Sequence, residues 1–331
     1  MSTRAARKGG ALLAVLWLAA ALSAIAFAVA STVRGETERA ATAQDGVRSY
    51  YLATAGIDRA ILYFQWGGIL NPDGSPRYYV PGLPRYRFQF PTGEAFVELI
   101  PEIGKLNVNG ARPDELLRLL LALGAEPARA ADITQAIVDW RTPTLAPTAF
   151  DAHYLSLTPS FRARHASFEE IEELLLLRGM TPDLFHGSYE RNAEGRLLPR
   201  PGLRDCLTVY GAGLGMLDIN TAEPAVMSAV GIPPDAIAMI MTRRLAGPIL
   251  PPEAANFARM GPALQRLTVV TYPLVTLRST ARLRLGDGKL SDLRRTVSAV
   301  VKLAGKGAES GPTTLRWYDN ATPGPEVVAW P

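Results

Sequence analysis

The sequence predicts an α+β fold: one long N-terminal helix, an antiparallel sheet assembled from both ends of the chain, and a large helical insert between them. Three observations carry this. Residues 11–30 contain no charged side chain, and the helical pattern they begin does not break until Gly67-Gly68. Strand-like alternation is confined to residues 85–100 and to residues 274–317. Between them, Gly104-Lys-Leu-Asn-Val-Asn-Gly-Ala-Arg-Pro is echoed by Gly215-Met-Leu-Asp-Ile-Asn-Thr-Ala-Glu-Pro, an internal repeat in helix-forming sequence.

About twenty apolar residues is the length that crosses a bilayer core as a helix. Arg4, Arg7 and Lys8 precede the run with no acid nearby, which keeps the short N-terminus cytoplasmic and places the rest outside. The alternative is a secretory signal peptide, cut at a small-x-small site such as Ala28-Val29-Ala30. The continuation past Ser31 argues against it. Ala40, Ala43, Val47, Tyr50, Tyr51, Thr54, Ile57, Ile61 and Phe64 recur at three- and four-residue spacing up to Trp66. The whole helix would be about 80 Å long at ~1.5 Å per residue. Its upper half needs a sheet to pack on, and its lower half needs lipid or sister helices.

With 331 residues and 48% hydrophobic content, the chain can bury a large core in about two or three units. Its formal charge is +4, but removing residues 1–9 takes away Arg4, Arg7 and Lys8, leaving 35 − 3 = 32 basic against 31 acidic residues. The remainder is no obvious polyanion binder. The single cysteine, Cys206, excludes an internal disulfide and a cysteine-based metal site, and reads as a small buried apolar residue.

After Gly67-Gly68 comes a turn-rich loop, Asn71-Pro72-Asp73-Gly74-Ser75-Pro76. Strands are then expected over 85–90 and 95–100, and at the far end over 274–285, 296–303 and 314–317, with a turn at Gly286-Asp287-Gly288. In the insert, Pro113 and Pro224 open helices at the position where a missing N–H costs nothing. Leu116, Leu119, Leu120 and Leu123 line one face before Gly124; Ala130, Ile133, Ile137 and Trp140 line the helix after it. The second copy matches with Val226 and Val230, Gly231, then Ile237, Ile240 and Met241. A third pair is expected over 167–183, with Ser167 and Glu170 spaced as a capping box. These pairs read as helix–hairpin–helix-like units. Residues 142–161 and 187–201 read as irregular.

Helix–hairpin–helix units often bind DNA by presenting backbone N–H groups to phosphates. Here the turns carry Pro127, Pro233 and Pro234, which have no N–H, and Glu126, which repels phosphate; no dense Lys/Arg cluster accompanies them. Packing units are the favoured reading, with a membrane-anchored periplasmic DNA-binding or uptake protein as the alternative. His153, His165 and His186 show no metal-ligand spacing and are expected in exposed or loop-anchoring roles. Gly211-Ala-Gly-Leu-Gly215 reads as a turn rather than a nucleotide loop, and Glu169, Glu170, Glu172 and Glu173 as a solvated helix face. No residue qualifies as a catalytic nucleophile or base, so no enzyme is expected.

The basic leader, Lys8-Gly9-Gly10 and the apolar run beyond resemble a type IV prepilin-like N-terminus. The resemblance implies cleavage by a prepilin peptidase after Gly9 or Gly10, next to Ala11, with the apolar helix kept. Most pilins and pseudopilins carry Glu at the fifth mature position, where this chain has Ala14 or Val15. That lack is usual in the K-type minor pseudopilins of type II secretion. The insert is similar to the same family at Glu102-Ile-Gly-Lys-Leu-Asn-Val-Asn, Ala136-Ile-Val-Asp-Trp-Arg141, Tyr154-Leu-Ser-Leu-Thr-Pro-Ser-Phe-Arg162, Glu170-Ile-Glu-Glu-Leu with Arg178-Gly-Met180, and Leu207-Thr-Val-Tyr210 before Asp218-Ile-Asn-Thr-Ala222. The family's organisation implies a leader at 1–9, a helix at 10–66 that crosses the membrane over about 11–31, a pilin-like β part from 67–103 and 266–331, and an inserted helical domain at 104–265. It further implies a single-pass inner-membrane protein with a periplasmic C-terminal domain. That protein would join other minor pseudopilins, on the type II secretion inner-membrane platform, to start and cap a pseudopilus; no nucleic acid is expected. Some members bind calcium in an acid-rich loop after Asp-Trp-Arg. Here Arg141 is followed by Thr142-Pro143-Thr144, with Asp151 the nearest downstream acid, so no cofactor is expected.

Overall fold

The computed structural model describes residues 8–79, 83–192, 194–211, 215–269, 274–303 and 311–321. Arg4, Arg7, Ala212, Gly213, Leu214 and the C-terminal end of the expected β part fall outside them.

Helix α1 runs from Lys8 to Gln65, 58 residues in all. That is about 85 Å at ~1.5 Å per residue. Among the described residues its lower half meets no other element, and its apolar side chains are exposed, Trp17 and Phe27 each 76%. The upper half lies on a five-stranded antiparallel sheet. The strands are β1 (Arg85–Phe90), β2 (Gly93–Pro101), β3 (Leu274–Arg284), β4 (Leu290–Lys302) and β5 (Thr313–Tyr318), hydrogen-bonded side by side in that order. The alternation of side chains across a strand decides what α1 meets. Val97 and Leu99, Val275, Leu277 and Ala281, and Val297, Ala299 and Val301 face the helix. They close a core with Leu52, Ala53, Ile57 and Ala60.

The insert leaves after β2 and rejoins at β3, two strands that are direct neighbours in the sheet with Leu99 opposite Leu277. A strand-to-strand connection has therefore grown into a separate helical body without disturbing the register. Its helices are α2 (Pro113–Ala122), α3 (Pro127–Arg141), α4 (Ala149–Leu155), α5 (Pro182–His186), α6 (Leu203–Cys206), α7 (Pro224–Ala229), α8 (Pro234–Leu245) and α9 (Pro251–Ala258). Two short parallel ladders tie them together, Leu106-Asn107 with Leu207-Thr208 and Leu217-Asp218 with Leu267-Thr268. The second core contains Leu116, Leu119, Leu120, Ile133, Ile137, Trp140, Val226, Met227 and Ile240, with Cys206 buried among them. The insert is fastened to the sheet by Glu102, which accepts from Thr276, and by the 2.7 Å ion pair of Arg316 with Glu170.

Several expectations are corrected. Residues 167–177 do not form an α-helix capped by Ser167. A short 3-10 turn spans Ile171–Leu176, because the Glu173 carboxylate accepts from the backbone N–H groups of Glu169 and Glu170 and sets the start there. The stretch expected to be irregular at 187–201 is a two-stranded hairpin, Ser188–Arg191 with Leu197–Arg200, and α4 forms inside 142–161. Strand β4 begins at Leu290 rather than 296, since pairing with β3 resumes across an irregularity between Leu290 and Arg294. Thr268 belongs to the ladder with Asp218, so the sheet is re-entered at 274 rather than 266. Met241 lies on the outer side of α8, exposed.

Candidate functional site

At the membrane end, Lys8, Gly9, Gly10 and Ala11 already lie within α1, as do Ala14 and Val15. Ala14 and Val15 are exposed along with the rest of the apolar stretch. This helix is long and apolar enough to cross a membrane. The small residues Ala19, Ala20, Ala21, Ala24, Ala26 and Ala28 make its surface one that allows close approach of neighbouring helices.

In the insert, the sequence repeat is a repeat of hydrogen bonding. Asn109 holds the backbone of Phe168 with both ends of its amide: Nδ2 donates to the carbonyl at 3.0 Å and Oδ1 accepts from the N–H at 2.7 Å. Asn220 holds Ile249 in the same way, at 3.0 and 2.8 Å. The guanidinium of Arg141, at the end of α3, donates to the carbonyls of Val108 and Ala111. That of Arg244, at the end of α8, donates to Ile219 and Ala222, at 2.7 and 2.9 Å. Each unit is thus a loop held to its second helix by one arginine and to a later segment of chain by one asparagine. The two units meet where α2 packs on α7, with Arg118 Nε donating to the Ala229 carbonyl at 2.7 Å.

Both hairpin turns pass through a glycine at positive φ, Gly124 at 82° and Gly231 at 90°. Neither turn suits a phosphate. The Glu126 carboxylate accepts from the N–H groups of Ala128 and Arg129, both at 3.0 Å, which are the donors a phosphate would use. Pro233 and Pro234 supply none. Over Gly124 lies the guanidinium of Arg200, which donates to the Leu123 carbonyl and pairs with Glu190.

Among the described residues, no three His, Cys, Asp or Glu side chains converge as metal ligands. Asp139 and Asp151, the acids on either side of Arg141, are already hydrogen-bonded. Asp151 already accepts from Thr148 and contacts His165, and the Asp139 carboxylate accepts from Thr148. Burial drives the Cys206 thiol well above its ordinary pKa, which disfavours the thiolate form. Of the acids expected on a solvated face, Glu169, Glu170 and Glu173 are engaged, by Arg164, by Arg316 and, at 3.1 Å, by Trp140 Nε1. The described residues thus present a long apolar helix, a sheet and a double helical unit.

Residues 104–187 match the family model described as type II secretion system (T2SS), protein K. Over those residues the chain is similar to type II secretion protein K. It is 26% identical to the type II secretion system protein K of Klebsiella pneumoniae over 196 residues, which covers 54% of this chain and 60% of that relative. The match thus spans less than two thirds of the relative's length. A chain of the GspK–GspI–GspJ complex from the type 2 secretion system of enterotoxigenic Escherichia coli has the same fold. The TM-score is 0.56 at 16% identity, over 86% of this chain and 100% of that one. The matched residues coincide with the first Asn109/Arg141 unit and the segment that covers it.

Proposed function

We propose that this chain is a minor pseudopilin of a type II protein secretion system, a structural component with no catalytic role, that starts and caps the periplasmic pseudopilus at its tip. The observation that carries this reading is the combination of a protein K domain, inserted into a sheet, with a long apolar helix lacking an acid at Ala14 and Val15. A carboxylate inside a membrane helix costs about 3 kcal/mol or more. In typical pilin subunits it is recovered by pairing with the N-terminal amine of a neighbour already in the filament. A first subunit has no such neighbour, and Ala14 or Val15 removes the need. A bulky insert above every subunit would also crowd a thin filament.

On this reading the leader at 1–9 faces the cytoplasm and is removed by a prepilin peptidase after Gly9 or Gly10. The helix at 10–66 holds the chain in the inner membrane. The pilin-like β part and the inserted domain at 104–265, with its helix–hairpin–helix-like packing units, lie in the periplasm. The partners are other minor pseudopilins and the inner-membrane platform. The chain needs no metal. The test is capture of the full-length chain from detergent-solubilised inner membranes. Two smaller pseudopilins should come with it in equal amounts, and capture of DNA with no pseudopilin would favour the uptake reading.

A further inference from the structure

His165 occupies an unusual position. It is the non-glycine residue with positive φ among the described residues, at 46°, a conformation that costs a residue with a Cβ energy unless something holds it. Its ring is largely buried and lies between two acceptors. Nδ1 stands 3.2 Å from the Asp139 carbonyl, and Nε2 stands 3.0 and 3.1 Å from the two Asp151 carboxylate oxygens. A carbonyl cannot donate, nor can an ionised carboxylate, and a neutral imidazole has one N–H. Both contacts are hydrogen bonds only when the ring carries two protons.

We propose that His165 is a protonation-dependent clasp that holds residues 156–168 against the end of α3. The segment it fastens carries the aromatic cover of Trp140. Phe168 stacks on Trp140 at 6.1 Å between ring centres, Phe161 stacks on Tyr154 at 5.1 Å, and the Ala166 N–H donates to the Trp140 carbonyl at 3.0 Å. The charged groups that face the ring are Asp139 from α3 and Asp151 from the first turn of α4. The adjoining Arg164 turns away to Glu169 and Glu173. His153 lies edge-on to Tyr154.

Burial pulls the His165 pKa down, but the hydrogen bond and charge of Asp151, with the carbonyl and charge of Asp139, outweigh it and hold the pKa above the ordinary imidazole value. The Asp151 pKa is lowered, by the Thr148 N–H and then by His165. A raised histidine contributes fully below its unfolded pKa and is lost as pH rises through the folded value. A lowered aspartate contributes above its unfolded pKa and is lost as pH falls through the folded value. The clasp is therefore closed between the two folded values and opens on the alkaline side by loss of the imidazolium proton.

The experiment uses the full-length chain in detergent micelles across about pH 5–9, the range over which an imidazole titrates. Hydrogen exchange of peptides from 156–168, corrected for intrinsic rate, is read beside NMR titration of the three histidine rings. Protection of 156–168 should fall several-fold as pH rises, with the midpoint of the His165 ring, while sheet peptides stay constant. Asp151→Asn should move the His165 midpoint down. His165→Gln should leave the segment weakly protected at every pH, with α2 and α3 still protected. Protection that is flat with pH in the unmodified chain, or a His165 midpoint unmoved by Asp151→Asn, would overturn the proposal.

Discussion

Gly56 on α1 lies directly against Ser279 on β3: a Cβ built at Gly56 would stand 2.5 Å from the Ser279 Oγ and 2.8 Å from the Ala95 Cβ. The helix can approach the sheet this closely only because residue 56 has no side chain. The Ser279 hydroxyl is fully buried there without a hydrogen-bond partner among the described residues. Overpacking costs about 1–3 kcal/mol, and helix propensity returns only about 0.5 kcal/mol to a valine. Gly56→Val should therefore destabilise the chain by about 1–2 kcal/mol, read as a lower thermal midpoint in detergent. Gly56→Ala should be better tolerated in a Ser279→Ala background than alone, because the nearest clashing atom is gone. Additive effects in that double-mutant cycle would separate the two residues.

The matched arginines give a second prediction. Arg141 and Arg244 each bridge two carbonyls of the loop that opens their unit. Hydrogen bonds from charged donors are worth about 1.5–3 kcal/mol each, and unpaired buried carbonyls add a desolvation cost. Arg141→Met or Arg244→Met should each cost about 3–6 kcal/mol. Lysine should rescue neither, since a point-like ammonium lacks the planar fork. Denaturant unfolding of the variants measures this, and recovery by lysine would reduce both arginines to simple charges.

Trp140 is 3% exposed, stacks on Phe168 and donates to Glu173. Trp140→Ala should cost about 3–5 kcal/mol. A variant of unchanged stability, followed by hydrogen exchange in α3, would place the indole outside the core.

At the N-terminus, processing after Gly9 or Gly10 gives a mature chain that starts at Gly10 or Ala11. Intact-mass analysis of the chain from membranes should find one of these. A start near Ser31 would restore the signal-peptide reading and remove the membrane helix from the mature protein.

Much of the fold was legible because periodicity reports which face is buried. The stripe through Ile57, the alternation of β1, and the leucines of α2 each state their own burial. The doubling of the insert was legible from Gly104 and Gly215 onward. Its fastening was not, because Asn109, Asn220, Arg141 and Arg244 act through backbone carbonyls and N–H groups distant in sequence, which leave no period. The signal available was positional: both copies end their second helix on an arginine, in Asp-Trp-Arg141 and in Thr-Arg-Arg244. The hairpin at 188–200 was missed since its strands are exposed and Glu190, Arg191 and Arg200 give no apolar alternation. The helix expected from Ser167 failed because Glu173 satisfies the N–H groups that Ser167 would have left to a cap.

On the proposed reading, a chain whose apolar helix carries Ala14 and Val15 in place of an acid, and whose insert crowds the space above it, belongs at a filament tip. Counting copies in sheared pseudopili by quantitative mass spectrometry, with the chain located by immunogold labelling, tests this most directly. The account predicts one copy per filament, at an end. Repeated copies along the shaft would contradict it.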